Sequence, residues 1–259
     1  MPTVKTQDSE LFYESYGAGD PVVLLHGAGG NHLSWWQQVP SLSRDLRVIV
    51  LDHRGFGRSP DPSGLGAAAF IDDLVCLLDR LEIARTALVC QSMGGITGLG
   101  LAVRDPGRVS ALALCNTWGF FRWPHARDRQ REAARASEGA RFAPLSDAFT
   151  RERPELALLY QQIMAQNPPE SRERLFARGL PNASGKAAFG PEAVAALDLP
   201  TLCVTGSEDG IVPPSLLRDL AGLMPRAKYL EVAGCGHSVY WERPDVLNPA
   251  LRELLTGTR

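Results

Sequence analysis

The chain predicts an α/β fold in which a parallel sheet is covered by helices. Two observations carry that prediction. Short runs of the sequence are apolar almost without a break, and helical patterns fill most of the gaps between them. A strand that is apolar at every position needs cover on both faces, which a sheet between two helical layers supplies. The alternation of the two patterns is what crossover connections between parallel strands require.

The apolar runs are residues 21–25, 47–51, 86–90, 109–114 and 200–204, with a further strand-like run at 229–232. Helical segments are expected near residues 35–42, 70–81, 93–104, 215–223 and 245–255. The alternation breaks between Trp118 and Leu199, where no convincing strand occurs and helices are expected at residues 127–135 and 154–166. Pro154 suits a first helical turn, and Pro168-Pro169 and Gly179-Leu180-Pro181 punctuate later pieces. This stretch reads as an insertion over the sheet. Its charge runs read as a solvated helix face and its aromatics chiefly as packing, with Trp118, Phe120 and Phe121, nearest the sheet, the best pocket candidates.

With 259 residues the chain can bury a substantial core. Its 27 basic and 29 acidic residues nearly cancel, so nothing points to nucleic acid or an acidic membrane surface, and a small molecule is the expected partner. The uncharged run 86–103 is long enough to suggest a membrane span, but four glycines, Gln91, Ser92 and two threonines interrupt it; a strand, turn and helix explains it better. Five cysteines without a Cys-x-x-Cys pair argue against a disulfide framework and a zinc site, so no metal is expected. The first residues lack the apolar core of a signal peptide, and a reducing cytoplasm is the simplest expectation.

Four segments carry chemistry. In Leu88-Val89-Cys90-Gln91-Ser92-Met93-Gly94-Gly95 an apolar strand runs into a serine and then a glycine-rich helix start. Such a turn pushes the hydroxyl out of the backbone with the positive end of a helix behind it. The same serine read alone is also a good helix cap. Cys90 stands where the Gly-x-Ser-x-Gly pattern has its first glycine, and it is small enough for the turn. His26-Gly27-Ala28-Gly29-Gly30 follows the first strong strand and leaves backbone N–H groups free to face a ligand, while fitting neither phosphate-loop pattern. Asp209, with Glu208 as competitor, lies in a polar turn after residues 200–204. His237 sits on a short glycine-flanked loop, which sets it apart from His32, His53 and His125.

Serine, acid and histidine keep the chain order of one large family. With Asp52-His53-Arg54-Gly55-Phe56-Gly57-Arg58-Ser59 as a further motif, the chain from Phe12 to Leu255 resembles the α/β-hydrolase superfamily, in its lid-bearing group of small-ester and lactone hydrolases, cofactor-free haloperoxidases and carbon-carbon bond hydrolases. The resemblance implies an α/β-hydrolase fold, a mostly parallel twisted sheet with a helical lid after the sixth strand: a core of residues 1–117 and 200–259 and a lid of 118–199. It implies Ser92 as nucleophile, His237 as general base and then acid, and Asp209 as the group orienting the imidazole. The backbone N–H groups of Ala28 and Met93 would form the oxyanion hole, and no cofactor would be needed. Gly27, Gln91 and Ser238 join the three aromatics as pocket candidates. His26 looks structural, and residues 54–59 look like a site-shaping loop. The implied activity is hydrolysis of a small carboxylic ester or lactone through an acyl-serine. Carbon-carbon hydrolysis and cofactor-free peroxide or oxygen chemistry are the alternatives, weakened for the former because Gln91 and Ser238 replace the asparagine and tryptophan common there. A non-enzymatic receptor that keeps the pocket is the third reading.

Overall fold

The computed structural model describes residues 2–136, 143–184 and 186–257. Eight strands form one sheet: β1 (Thr3–Lys5), β2 (Glu10–Tyr16), β3 (Asp20–Leu25), β4 (Leu46–Leu51), β5 (Thr86–Gln91), β6 (Val109–Cys115), β7 (Thr201–Gly206) and β8 (Ala227–Val232). Their order is β1-β2-β4-β3-β5-β6-β7-β8. β1 and β2 pair antiparallel at one edge and β4 joins β2 antiparallel; from β4 to β8 every pairing is parallel. The helices are α1 (Val39–Leu42), α2 (Phe70–Arg80), α3 (Gly94–Arg104), α4 (Pro124–Ala136), α5 (Asp147–Glu152), α6 (Pro154–Met164), α7 (Ser171–Arg174), α8 (Pro191–Ala195), α9 (Pro214–Leu223), α10 (Val239–Glu242) and α11 (Pro244–Thr256). Five of them, α4 to α8, lie between β6 and β7.

The unbroken apolarity of the central strands has a direct structural counterpart. Val23 and Leu25 of β3, with Ile49, Leu51, Leu88, Leu112 and Leu114, belong to a core shared with α2, α3 and α9. Val22 and Leu24, with Val48, Val50, Val89 and Ala113, belong to a second core shared with α11. Successive residues thus face opposite helical layers, and each fully buried aliphatic contributes about 1.5–3 kcal/mol.

Two departures from the sequence reading have clear causes. β1 and β2 are not expected from the sequence: β1 is only three residues long, and Glu10-Leu11-Phe12-Tyr13-Glu14-Ser15-Tyr16, paired between β1 and β4, carries charge and hydroxyls at its exposed ends, Glu10, Ser15 and Tyr16. The helix expected at 35–42 is instead a 3-10 turn (His32–Trp35) followed by α1. Pro40 has no N–H to donate back to Trp36, so one continuous helix cannot pass through it.

Parallel strands end at the same edge of a sheet. The loops after β3, β5, β6, β7 and β8 therefore open side by side, which is where α/β sheets place their ligands.

Candidate active site

β5 ends at Gln91, and the backbone turns sharply at Ser92, whose φ of +46° is unusual for a residue with a side chain. The turn is over-determined by its surroundings. Ser92 N–H donates to the Cys115 carbonyl at the end of β6, and α3 begins at Gly94. A Cβ on Gly94 would fall 2.2 Å from the Leu25 carbonyl oxygen, so only glycine fits there. The strain of the left-handed serine is held in place by these contacts, a state typical of functional turns.

Ser92 lies in hydrogen-bonding reach of His237: Oγ and Nε2 are 2.9 Å apart. On the other side of the ring, Nδ1 lies 3.0 and 2.9 Å from the two carboxylate oxygens of Asp209. A carboxylate only accepts, so Nδ1 carries the proton toward Asp209 and the lone pair of Nε2 faces the serine hydroxyl. Asp209 and His237 are 4% and 5% exposed, while Ser92 is partly open. Asp209 also accepts from the Ile211 and Val212 N–H groups at 2.9 and 2.8 Å. Glu208, the competing acid, is exposed and only its backbone N–H bonds toward the His237 loop, at Cys235.

Sequence reasoning missed Asn116, which follows β6 with φ +54° and is fully buried. Its Nδ2 donates to Asp209 Oδ2 at 2.8 Å and to the Gly236 carbonyl at 3.3 Å. The available signal was topological: it is the first polar residue at the end of the strand between those of Ser92 and Asp209.

The glycine loop after β3 lies against the serine. A Cβ on Gly27 would sit 3.1 Å from Ser92 Cβ and 1.8 Å from Gln91 Oε1. Ala28 is partly open and packs with Phe120 and Leu180 on a small core of Phe56, Phe70, Met93, Ile96 and Leu175. The Met93 N–H stands at the start of α3, where a helix leaves its N–H groups without intrahelical acceptors. His26 supports this loop: its Nδ1 bonds the Gly27 carbonyl and its Nε2 accepts from the His53 N–H. Burial holds the imidazoles of His26 and His53 below the usual range, so both stay neutral. His32 bonds the buried Asp52, and His125 is half-exposed beside Asp219.

The pocket candidates divide. Gln91 is buried, and its Nε2 donates to the His237 carbonyl at 3.2 Å. Ser238 is buried, with Oγ 3.3 Å from the Tyr160 hydroxyl of α6. Trp118 and Phe121 pack into the core with Leu99 and Leu112. Together with Phe120, Trp123, Phe176 and Leu180 they line a cavity of about 660 Å³ whose walls include none of Ser92, Asp209 and His237. Only Phe120 of the three reaches the group around Met93 and Ala28. The backbone is left-handed at Gly119 and Phe120, φ +74° and +54°; the Phe120 ring lies against Trp118, while Phe121 stacks on Trp123 and Phe189.

Among the described residues no group of three or more His, Cys, Asp or Glu is placed to hold a metal ion, and no helix is long and apolar enough to cross a membrane. The chemistry available is that of an activated hydroxyl backed by an imidazole and a buried carboxylate.

Comparison with known proteins agrees with this architecture. The family model described as alpha/beta hydrolase fold matches residues 20–244. The chain is similar to a 2-hydroxymuconate semialdehyde hydrolase of Pseudomonas sp. strain CF600, 33% identical over 85% of this chain and 81% of that one. Among solved structures it resembles a thermophilic esterase from Thermogutta terrifontis, with TM-score 0.83 and 28% identity over 99% of this chain and 98% of the other. It also resembles the enol-lactonase from Burkholderia xenovorans, with TM-score 0.81 and 25% identity over 98% of this chain and 100% of the other.

Proposed function

The chain belongs to the alpha/beta hydrolase family, and on that premise we propose that it is a serine hydrolase of small carboxylic esters or lactones. The observation that carries the reading is the continuous hydrogen-bonded line from Ser92 Oγ through His237 to Asp209. Ser92 Oγ attacks the carbonyl carbon while its proton passes to His237 Nε2. The resulting oxyanion accepts from the N–H groups of Ala28 and Met93, each such donor contributing about 3–4 kcal/mol to the transition state. Asp209 holds the imidazole in the required tautomer and stabilises its cation. Collapse of the tetrahedral adduct breaks the bond to the alkoxide, which takes the proton from the imidazolium and, in a lactone, stays attached to the acyl chain. Water, deprotonated by His237, then attacks the acyl-serine, and the acid departs as Ser92 recovers its proton.

The segment between β6 and β7 serves in this reading as a lid of residues 118–199 on a core of 1–117 and 200–259. The Phe120, Ala28, Leu180 and Met93 surface suits a small apolar acyl group. The five free thiols suit a reducing compartment, the cytoplasm. A second reading, hydrolysis of a carbon-carbon bond in a dienone, is supported by the likeness to the semialdehyde hydrolase.

The test is a turnover screen of short esters, lactones and dienones with wild type and Ser92→Ala side by side, together with a fluorophosphonate probe. Covalent labelling of wild type alone, with ester or lactone turnover that Ser92→Ala loses about a thousandfold or more, supports the first reading. Preferential turnover of dienones replaces it with the second.

A further inference from the structure

We propose that Asn167 is a positioning residue for the oxyanion loop, which makes the helical segment between β6 and β7 part of the catalytic frame in addition to its cover. The inference rests on the reading of Ala28 as an oxyanion donor.

An oxyanion N–H works only if it is aimed before the charge develops. The stretch Gly27-Ala28-Gly29-Gly30 has three glycines and one internal bond, from Gly30 N–H to the Gly27 carbonyl at 3.0 Å. Such a chain has many accessible conformations, so its aim has to be set from outside.

His26, Gln91 and Ser92 hold the Gly27 end, and the contacts at Gly29 come from residues 163–172. Asn167 follows α6, and its side-chain amide is bonded at both ends. Nδ2 donates to the Gly29 carbonyl at 2.5 Å and to the Met164 carbonyl at 3.2 Å, and Oδ1 accepts from the Gly57 N–H at 2.8 Å. Gly57 is itself pinned, with φ +50° and no room for a Cβ beside the Asp52 carboxylate. Asn167 therefore refers the Gly29 carbonyl to a fixed point on the 52–59 loop. Two residues further on, Asn31 Nδ2 donates to the Ile163 carbonyl at 3.0 Å. At Gly29, with φ +94°, the Met164 methyl and an Arg172 guanidinium nitrogen lie 2.9 and 2.8 Å from where a Cβ would be. The outer face of the loop is thus closed by this segment through two hydrogen bonds and direct packing. An amide is required at 167, because one end must donate and the other accept.

Asn167→Asp separates these functions: it keeps an oxygen for Gly57 N–H and sets an acceptor against the Gly29 carbonyl. Ser171→Ala is the comparison, since Ser171 Oγ bonds the Gly55 and Pro168 carbonyls and docks the same segment without touching the oxyanion loop. The experiment measures kcat and KM on the best ester, inhibition by a phenylboronate that forms a tetrahedral adduct on serine, and Tm, for wild type and both variants. Asn167→Asp is expected to lose about ten- to a hundredfold in kcat, to weaken boronate inhibition by the same factor, and to leave KM near wild type. Ser171→Ala is expected to lower Tm while keeping kcat and boronate inhibition. The proposal is overturned if Asn167→Asp keeps both parameters, or if kcat in the two variants simply follows Tm. A wild type that neither turns over esters nor binds the boronate removes the serine-hydrolase reading, and this proposal with it.

Discussion

The sulfur of Cys90 occupies the space a side chain on Gly98 would need: a Cβ built on Gly98 falls 2.1 Å from Cys90 Sγ. Cys90 lies in β5 two residues before Ser92, and Gly98 sits one turn into α3, so the pair sets how closely the helix packs on the strand behind the serine. The missing first glycine of the serine turn is thus offset by a glycine on the facing helix. Gly98→Ala is expected to destabilise the fold by about 1–3 kcal/mol through overpacking. Adding Cys90→Ala should return most of that loss. Denaturant midpoints of the two single variants and the double test the coupling, and simple additivity would contradict it.

Asn116 predicts a split between activity and fold. It supplies a neutral donor to the Asp209 carboxylate at 2.8 Å, and a hydrogen bond to a buried charge is worth about 1.5–3 kcal/mol. Asn116→Ala should lower kcat about ten- to a hundredfold. Asn116→Asp should lower it further, because two carboxylates at that distance disfavour each other's ionised form. Steady-state kinetics on the substrate found in the screen decides this, and equal activities in the two variants would sink it.

Glu242 predicts a pH dependence of stability. It is buried in α10 and accepts from Ser146 N–H, Ser146 Oγ and Gly236 N–H. Burial outweighs these three bonds and pushes its carboxyl above the ordinary carboxylate range. A folded-state pKa above the unfolded one means that its contribution is fully present below the ordinary range and is lost as pH rises through the folded value. Wild-type stability relative to Glu242→Gln should therefore decline between about pH 4 and pH 7. Urea midpoints at the two ends check the sign; a gap that stays constant contradicts it.

The thiols predict a labelling pattern. Cys90, Cys115, Cys203 and Cys235 are buried, and Cys76 alone is partly exposed. Burial pushes the thiols of Cys115 and Cys203 up to about 12, and drives Cys90 and Cys235 in the same direction. Native protein at about pH 8 should take one maleimide, at Cys76, with activity intact, and denatured protein all five. Intact-mass spectrometry counts the labels, and native labelling of any of the four buried cysteines would contradict the pattern.

The parts of this molecule that are legible in the sequence are local. The strand, turn and helix around Ser92 depend on residues within a few positions of each other, so the apolar run and the glycines suffice. The central strands are legible because both faces are buried, which removes polar residues from them. β1 and β2 are not, since a three-residue edge strand and a neighbour exposed at both ends resemble loops in composition. The bonds that Gln91 makes to the His237 carbonyl and Ser238 to the Tyr160 hydroxyl are not legible either, since their partners lie 146 and 78 positions away.

By itself the sequence determined the α/β class, the run of buried parallel strands and the three loops bearing Ser92, Asp209 and His237. Only the tertiary structure decided that these side chains meet at hydrogen-bonding distance, that Asn116 backs the carboxylate, and that Asn167 reaches the Gly29 carbonyl across 138 positions of chain. The physical reason is range. Backbone propensity and side-chain patterning act over one or two turns of chain, whereas strand order, register and close packing bring together residues whose own neighbourhoods carry no trace of each other.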